Sequence, residues 1–386
     1  MNKAPFTFLV IEGFPASNDP VLEFVRKIRQ ANVLDNIQKS ADVPGIARRL
    51  LYTTDPNLAS SARKAGIEAE LYPQSETLHF GNFLADIIRH HRLTNVFYLG
   101  GGAAPLLPRR EIKRIVESLA VRDAAFVTNN LFSSDFVAFT SAQNLLSIPL
   151  PPSDNGLAMA LRSGCGMERL PLSPSSQTLM DIDTPTDIHI LSLHPDIGPR
   201  TKEEICKFNL VTGKFQAIQQ LIPRREAEIL LFGRIGSSLF SYLDQSTLCR
   251  FRILSEERSM KSRGRVERNE VFSMMGSFMQ DIGPQKFMER LGQFCHAAIL
   301  DTRVLFAHLK KRVSTSDRYY SDLGLWDRIE DQDVKILTWA AAEAPIPVIL
   351  GGHSLVSGGL WTLVDAFWRS EEGEKFLREY PSALKF

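Results

Sequence analysis

Over roughly the first 140 residues, short apolar runs alternate regularly with segments of helical period, and few folds accommodate that pattern. Phe6 to Ile11 reads as a buried strand, and Asp19-Pro20 followed by Val21, Phe24, Val25 and Ile28 reads as an N-capped helix. The pattern continues with strands at Arg49 to Thr53, Glu68 to Tyr72, Asn95 to Leu99, Ala124 to Asn129 and Phe136 to Thr140. Helices are predicted between them at Asn57 to Ala65, Gly81 to His91 and Arg109 to Val121. Such alternation implies an α/β class with a mostly parallel sheet covered by helices on both faces. Ligands of these sheets sit beyond the carboxyl ends of the strands, so the loops after Ile11, Leu99 and Thr128 are expected to share one rim.

Proline and serine interrupt the pattern at Pro149 to Ser153 and Pro171 to Ser176, and His194 to Pro199 reads as a linker. Two domains are therefore expected, residues 1–200 and 201–386, as the length of 386 residues permits. The second reads as a helix-rich α+β domain. Helical spacing is found at Lys202 to Gln220, Arg225 to Leu231, Ser237 to Leu243, Asn269 to Asp281, Pro284 to Phe294 and Gln332 to Ala344. Short strands are expected at Arg250 to Leu254, Ala297 to Asp301 and Pro347 to Leu350.

A formal net charge of +1 leaves no overall field to draw in nucleic acid or an anionic membrane. Cys165, Cys206, Cys249 and Cys295 are too scattered for a disulfide framework or a structural zinc site, which fits the reducing cytosol. No apolar stretch reaches the length of a membrane span, and the run near the N-terminus is too short for a signal peptide. A cytoplasmic protein is expected.

Two motifs carry chemistry in the first half. Asp181-Ile182-Asp183-Thr184-Pro185-Thr186-Asp187 sets Asp181 and Asp183 on one side of an extended segment, where they can hold a divalent cation; capping of the next helix by Asp183 or Asp187 is the plainer use. Gly100-Gly101-Gly102 lets backbone amides approach a phosphate or a base, and equally allows a tight turn. Asn129 follows the next strand on the same expected rim.

The order of elements, the strand ending in three glycines before Ala103-Ala104-Pro105, and Asp181 to Asp187 resemble the nucleotidyltransferases of the nucleotide-diphospho-sugar transferase fold over residues 1–200. The molybdenum-cofactor guanylyltransferase and phospholactate guanylyltransferase group is the most similar. The resemblance implies an NTP or nucleotide-sugar as substrate, magnesium at Asp181 and Asp183, nucleotide contacts from Gly100, Gly101, Gly102 and Asn129, and a phosphorylated small molecule as acceptor. Two departures stand out. The loop Glu12 to Pro20 has one glycine, no lysine or arginine and two carboxylates, and Ala103 and Ala104 stand where such proteins place a metal-binding aspartate.

In the second half, Arg258, Lys261, Arg263 and Arg265 fall within eight positions and can surround a multivalent anion. Gly351-Gly352-His353-Ser354 lies between a strand and a helix, a layout that offers free amides to an anion, with Gly351, Gly352 and Ser354 as contacts. The functional expectation gathers Arg258, Lys261, Arg263, Asp301, Arg303, His308 and His353 around one pocket, with Arg258, Lys261, Arg263 and His353 as catalytic candidates. The leading expectation is a nucleotidyltransferase-like protein. Its alternatives are a catalytically inactive nucleotide-binding or scaffold protein, and anion-handling transferase or hydrolase chemistry in the C-terminal domain.

Overall fold

The computed structural model describes residues 4–73 and 78–382. It divides into two compact units. The first holds the residues up to Ser17, Arg26–Asp181 and Gly198–Glu204; the second holds Asn18–Val25, Ile182–Ile197 and the chain from Ile205 onwards.

The first unit is built on seven strands, β1 (Phe6–Glu12), β2 (Ile46–Thr53), β3 (Glu68–Leu71), β4 (Asn95–Gly100), β5 (Ala125–Thr128), β6 (Phe136–Phe139) and β7 (Glu168–Arg169). They lie in the order β3-β2-β1-β4-β6-β5-β7. All neighbouring pairs are parallel except those made by β6, which runs antiparallel to both β4 and β5. The continuous apolar run of β1 follows from burial on both faces. Phe8 and Val10 join a core with Ile112, Ile115, Val116 and Leu119 of the helix Arg109–Ala120. Leu9 and Ile11 join an opposite core with Leu84, Ile87 and Ile88 of the helix Phe80–His91. Helices thus cover both sides, as the alternation predicts.

The second unit is mainly helical around four strands, β8 (Glu228–Gly233), β9 (Arg250–Ser255), β10 (Ala297–Asp301) and β11 (Val348–Gly351), ordered β11-β10-β8-β9. All its pairings are parallel. The helix expected at Arg225 to Leu231 is instead β8, a continuous buried run ended by Gly233. The long helix expected from Lys202 to Gln220 is two short ones, Pro199–Cys206 and Gly213–Gln219. In chain order the sheet runs second, first, third, fourth, so its topological switch lies between β8 and β10. Among the described residues no helix is long and apolar enough to cross a membrane.

Candidate functional site

In the first unit the sheet order reverses between β1 and β4, which pair side by side up to Ile11 and Gly100. The loops leaving these two strands therefore flank the crevice where ligands of such sheets sit. Glu12 closes β1 and is buried. Its carboxylate accepts from Phe14 N at 2.7 Å and pairs with Arg29, whose Nη2 is 3.1 Å away. A Cβ at Gly101 would overlap that carboxylate, so the glycine is required by a close packing contact.

The glycine loop is held from one stripe of the helix Pro20–Ser40. Asn32 Nδ2 donates to Gly101 O (2.9 Å) and Ala103 O (3.2 Å), Asn36 Nδ2 to Ala103 O (2.9 Å), and Lys39 Nζ to Pro105 O (2.6 Å). The Asn32 Oδ1 stays buried without a hydrogen-bond partner among the described residues. Ala103, fully buried, forms an isolated antiparallel bridge with half-buried Asp181. Asn129 closes the β5–β6 turn: its Nδ2 donates to Asp135 Oδ2 (2.6 Å) and its Oδ1 accepts from Asp135 N (3.1 Å).

The boundary between the units falls between Asp181 and Ile182, so Asp181 belongs to the first unit and Asp183 to the second. Asp187 caps the helix Pro185–Ser192. Its Oδ2 accepts from Asp183 N (3.1 Å), Thr184 N (2.7 Å), Thr184 Oγ1 (2.9 Å) and Ser354 Oγ (2.8 Å). Burial, then the neighbouring Asp183 charge, pushes the Asp187 carboxyl up to about 7. Asp183 itself is exposed, and its carbonyl accepts from Tyr319 Oη at 2.7 Å.

In the second unit, polar residues collect at the carboxyl edge of the sheet. Asp301, at the end of β10, takes two bonds from Arg234, just past β8: Nε to Oδ2 at 2.6 Å and Nη2 to Oδ1 at 3.0 Å. Burial alone would raise the Asp301 pKa; the Arg234 charge and its hydrogen bonds bring it below the ordinary value. Gly233 has φ +130°, and a Cβ there would run into Asp301. Arg303 forms a forked pair with Asp322, both distances being 2.6 Å, and lies beside Gly352. Ser354, fixed on Asp187, is buried.

Arg258 and Lys261 are exposed, and no ion pair engages either among the described residues. Their loop is pinned by buried Met260 and by the Glu257–Arg265 pair at 2.7 Å. Protein crowding around the Lys261 ammonium lowers its pKa, and the charges of Arg234, Arg318 and Arg303 add to the effect. His353 is pushed down to about 4 by burial and then by Arg234, so it is neutral at ordinary pH, and its Nδ1 is buried without a hydrogen-bond partner among the described residues.

The expected grouping of Arg258, Lys261, Arg303, Asp301 and His353 is thus brought to one sheet edge. Arg263 is exposed in the same loop, with no ion pair among the described residues. His308 packs elsewhere, accepting from Ser273 N at 3.1 Å and contacting Gln280 at 2.8 Å. Arg234 is the residue that sequence reasoning passed over. The signal for Arg234 was the apolar run Ile229 to Phe232, closed by Gly233 immediately before it. Among the described residues, the one group of three metal-type side chains is Glu70, His90 and His91, whose Glu70 and His91 are both bonded by Tyr52 Oη.

No family model matches the chain, and no curated protein matches it. Among solved structures, a CMP:2-keto-3-deoxy-manno-octonic acid synthetase complexed with CTP is similar at 13% identity and a TM-score of 0.35, covering 47% of this chain and 94% of its own. A cytidylyltransferase from Leptospira borgpetersenii matches at 16% identity and a TM-score of 0.36, over 49% of this chain and 85% of its own. A nucleotidyl transferase from Methanothermobacter matches at 10% identity and a TM-score of 0.36, over 52% of this chain and 99% of its own.

Proposed function

We propose that the protein handles nucleotides, with the first unit seating an NTP or a nucleotide-sugar and directing nucleotidyl transfer to a phosphorylated acceptor. The observation that carries this reading is the switch between β1 and β4, where the glycine loop 100–102 lies beside the strand that ends in Glu12. In that reaction an acceptor phosphate oxygen bonds to the α-phosphorus while the bond to the leaving pyrophosphate breaks. The protein's part is alignment and charge neutralisation.

Magnesium suits the donor chemistry of Asp181, since it commonly takes one or two carboxylates besides phosphate oxygens and water. When bound, it neutralises phosphate charge. The buried methyl of Ala103 beside Asp181 leaves a single carboxylate at that bridge. Titration calorimetry with GTP, CTP, ATP and UTP plus magnesium tests the reading. Saturable heat with one of them, weakened at least tenfold by Asp181→Ala, is the expected result; silence with all four at millimolar concentration ends it.

One observation favours a second reading. Glu12 places a carboxylate, already paired with Arg29, on the crevice where a phosphate cradle needs positive charge. A first unit that binds a nucleotide or a partner without turning it over fits this charge. Saturable nucleotide binding with no pyrophosphate release, and with affinity unchanged in Asp181→Ala, would select it.

A further inference from the structure

The second unit holds polar groups that the nucleotide reading leaves unused, at the switch between β8 and β10, where a parallel sheet of this order admits ligands. The strand register puts the edge residues in line: Leu300 pairs with Phe232, Gly233 with Ser255, and Asp301 with Gly351. The loops that follow these strands therefore start side by side. Ser255 Oγ donates to Ile235 O at 2.8 Å, tying the β9 and β8 exits together. The Arg258 Nη2 lies 3.8 Å from the Cβ position of Gly236, the residue before the ten-residue helix Ser237–Ser246, which has no side-chain cap. A guanidinium near a helix start that has no side-chain cap among the described residues is a combination suited to an anion.

The charges are unbalanced. Arg234 and Arg303 are closed by Asp301 and Asp322. Arg258, Lys261 and Arg318 have no carboxylate partner among the described residues; the Asp183 charge acts on Lys261, and Glu256, two positions before Arg258, accepts from Met274 N at 3.1 Å. Among the described residues of this unit four buried polar atoms lack partners: Arg318 Nε and His353 Nδ1, and the carboxylate oxygens Asp187 Oδ1 and Glu256 Oε2. Orphaned polar atoms of this kind are uncommon in folded proteins and ask for a ligand or water. The charges of Arg234, Asp301, Asp183 and Arg258 all act on His353, which places its imidazole inside the same cluster.

We propose that this edge is an anion site for a phosphoryl or pyrophosphoryl group, held by Arg258, Lys261 and Arg318 with neutral His353 as a hydrogen-bonding partner. Three unpaired cations of different reach match an anion with several charges and several acceptor oxygens. The closed pairs Arg234–Asp301 and Arg303–Asp322 keep the floor rigid. The site requires neither Asp181 nor the glycine loop and is independent of the nucleotide reading.

The test is calorimetry of the full chain with inorganic pyrophosphate and with inorganic phosphate, both in EDTA and without nucleotide. Expected is saturable binding of pyrophosphate, tenfold or more weaker in Lys261→Ala and in Arg258→Ala, and unchanged in Lys286→Ala, an exposed lysine of the helix Pro284–Leu291. Both loop residues are exposed, so the variants should fold; an unaltered melting temperature confirms it. No saturable heat with pyrophosphate at millimolar concentration overturns the site, and so does binding that all three variants share equally. A nucleotide signal that persists while pyrophosphate gives none would remove this site and leave the nucleotide reading standing.

Discussion

Glu12 and Gly101 occupy each other's space: the carboxylate fills the volume that any side chain at position 101 would need. Gly101→Ala must push aside a buried group that is fixed by Phe14 N and Arg29. Overpacking of this kind costs about 1–3 kcal/mol. Truncating Glu12 to alanine frees the space but takes the Glu12 carboxylate away from Arg29. The double variant should therefore lose less stability than the sum of the two singles, by about 1 kcal/mol or more. Urea unfolding of the four proteins measures the coupling; strict additivity would show that the contact does not hold.

The Arg234–Asp301 pair sits at the edge of the second sheet with both partners nearly inaccessible to solvent. Asp301→Ala leaves a buried guanidinium without its partner and also removes the cap that accepts from Arg303 N. Loss of one member of a buried pair typically costs about 3–5 kcal/mol. Removing Glu270 from its exposed pair with Arg268 should leave the unfolding midpoint where it was. Equal midpoints for the two variants in denaturant unfolding would contradict this account.

Much of the first unit was legible because strands such as β1 are apolar runs bounded by turns, and helices such as Arg109–Ala120 carry one apolar stripe, here Ile112, Ile115, Val116 and Leu119; β7, the exposed pair Glu168–Arg169, offers no such signal. The second unit was less so. Ile229 to Phe232 is too short a run for periodicity to separate strand from helix, and reading it as a helix hid the central strand. Without β8 there is no switch point, and Arg234 has no reason to meet Asp301, 67 positions away. The same limit applies to Glu12 and Gly101. Each looks ordinary in its own stretch, and only the β1–β4 pairing makes one exclude a side chain at the other.

Asp187 makes a prediction about pH. Its carboxyl is raised from an ordinary 3.8 to about 7, so between those values the folded protein holds a proton that the unfolded chain has released. Stability from this group is greatest below about pH 4 and declines as pH rises towards 7, at up to about 1.4 kcal/mol per pH unit. Asp187→Asn keeps a capping oxygen and removes the titration. Unfolding free energies measured from pH 6.5 to 8 should fall and then level off in the parent protein and stay flat in the variant. A parent protein with no fall at all would mean that the carboxyl ionises normally.

His353 works in the opposite sense, and the two residues overlap. Its pKa is lowered from 6.5 to about 4, by burial first and the Arg234 charge second. Below pH 6.5 the unfolded chain takes a proton that the folded protein refuses until about 4, so His353 makes stability fall as pH drops through that window. Asp187 makes stability rise over the same descent, and the two slopes offset each other between about pH 4 and 6.5. Asp187→Asn should therefore expose the histidine slope as a new acid sensitivity, of up to about 1.4 kcal/mol per pH unit. Ring nitrogen shifts give an independent reading: one imidazole should remain neutral down to about pH 4.5 and disappear from the spectrum of His353→Gln. Pyrophosphate, as a neighbouring anion, should move that titration upward, because an opposite charge favours the protonated ring. A His353 that titrates near 6.5 and ignores pyrophosphate would contradict both its burial and its place in the anion site.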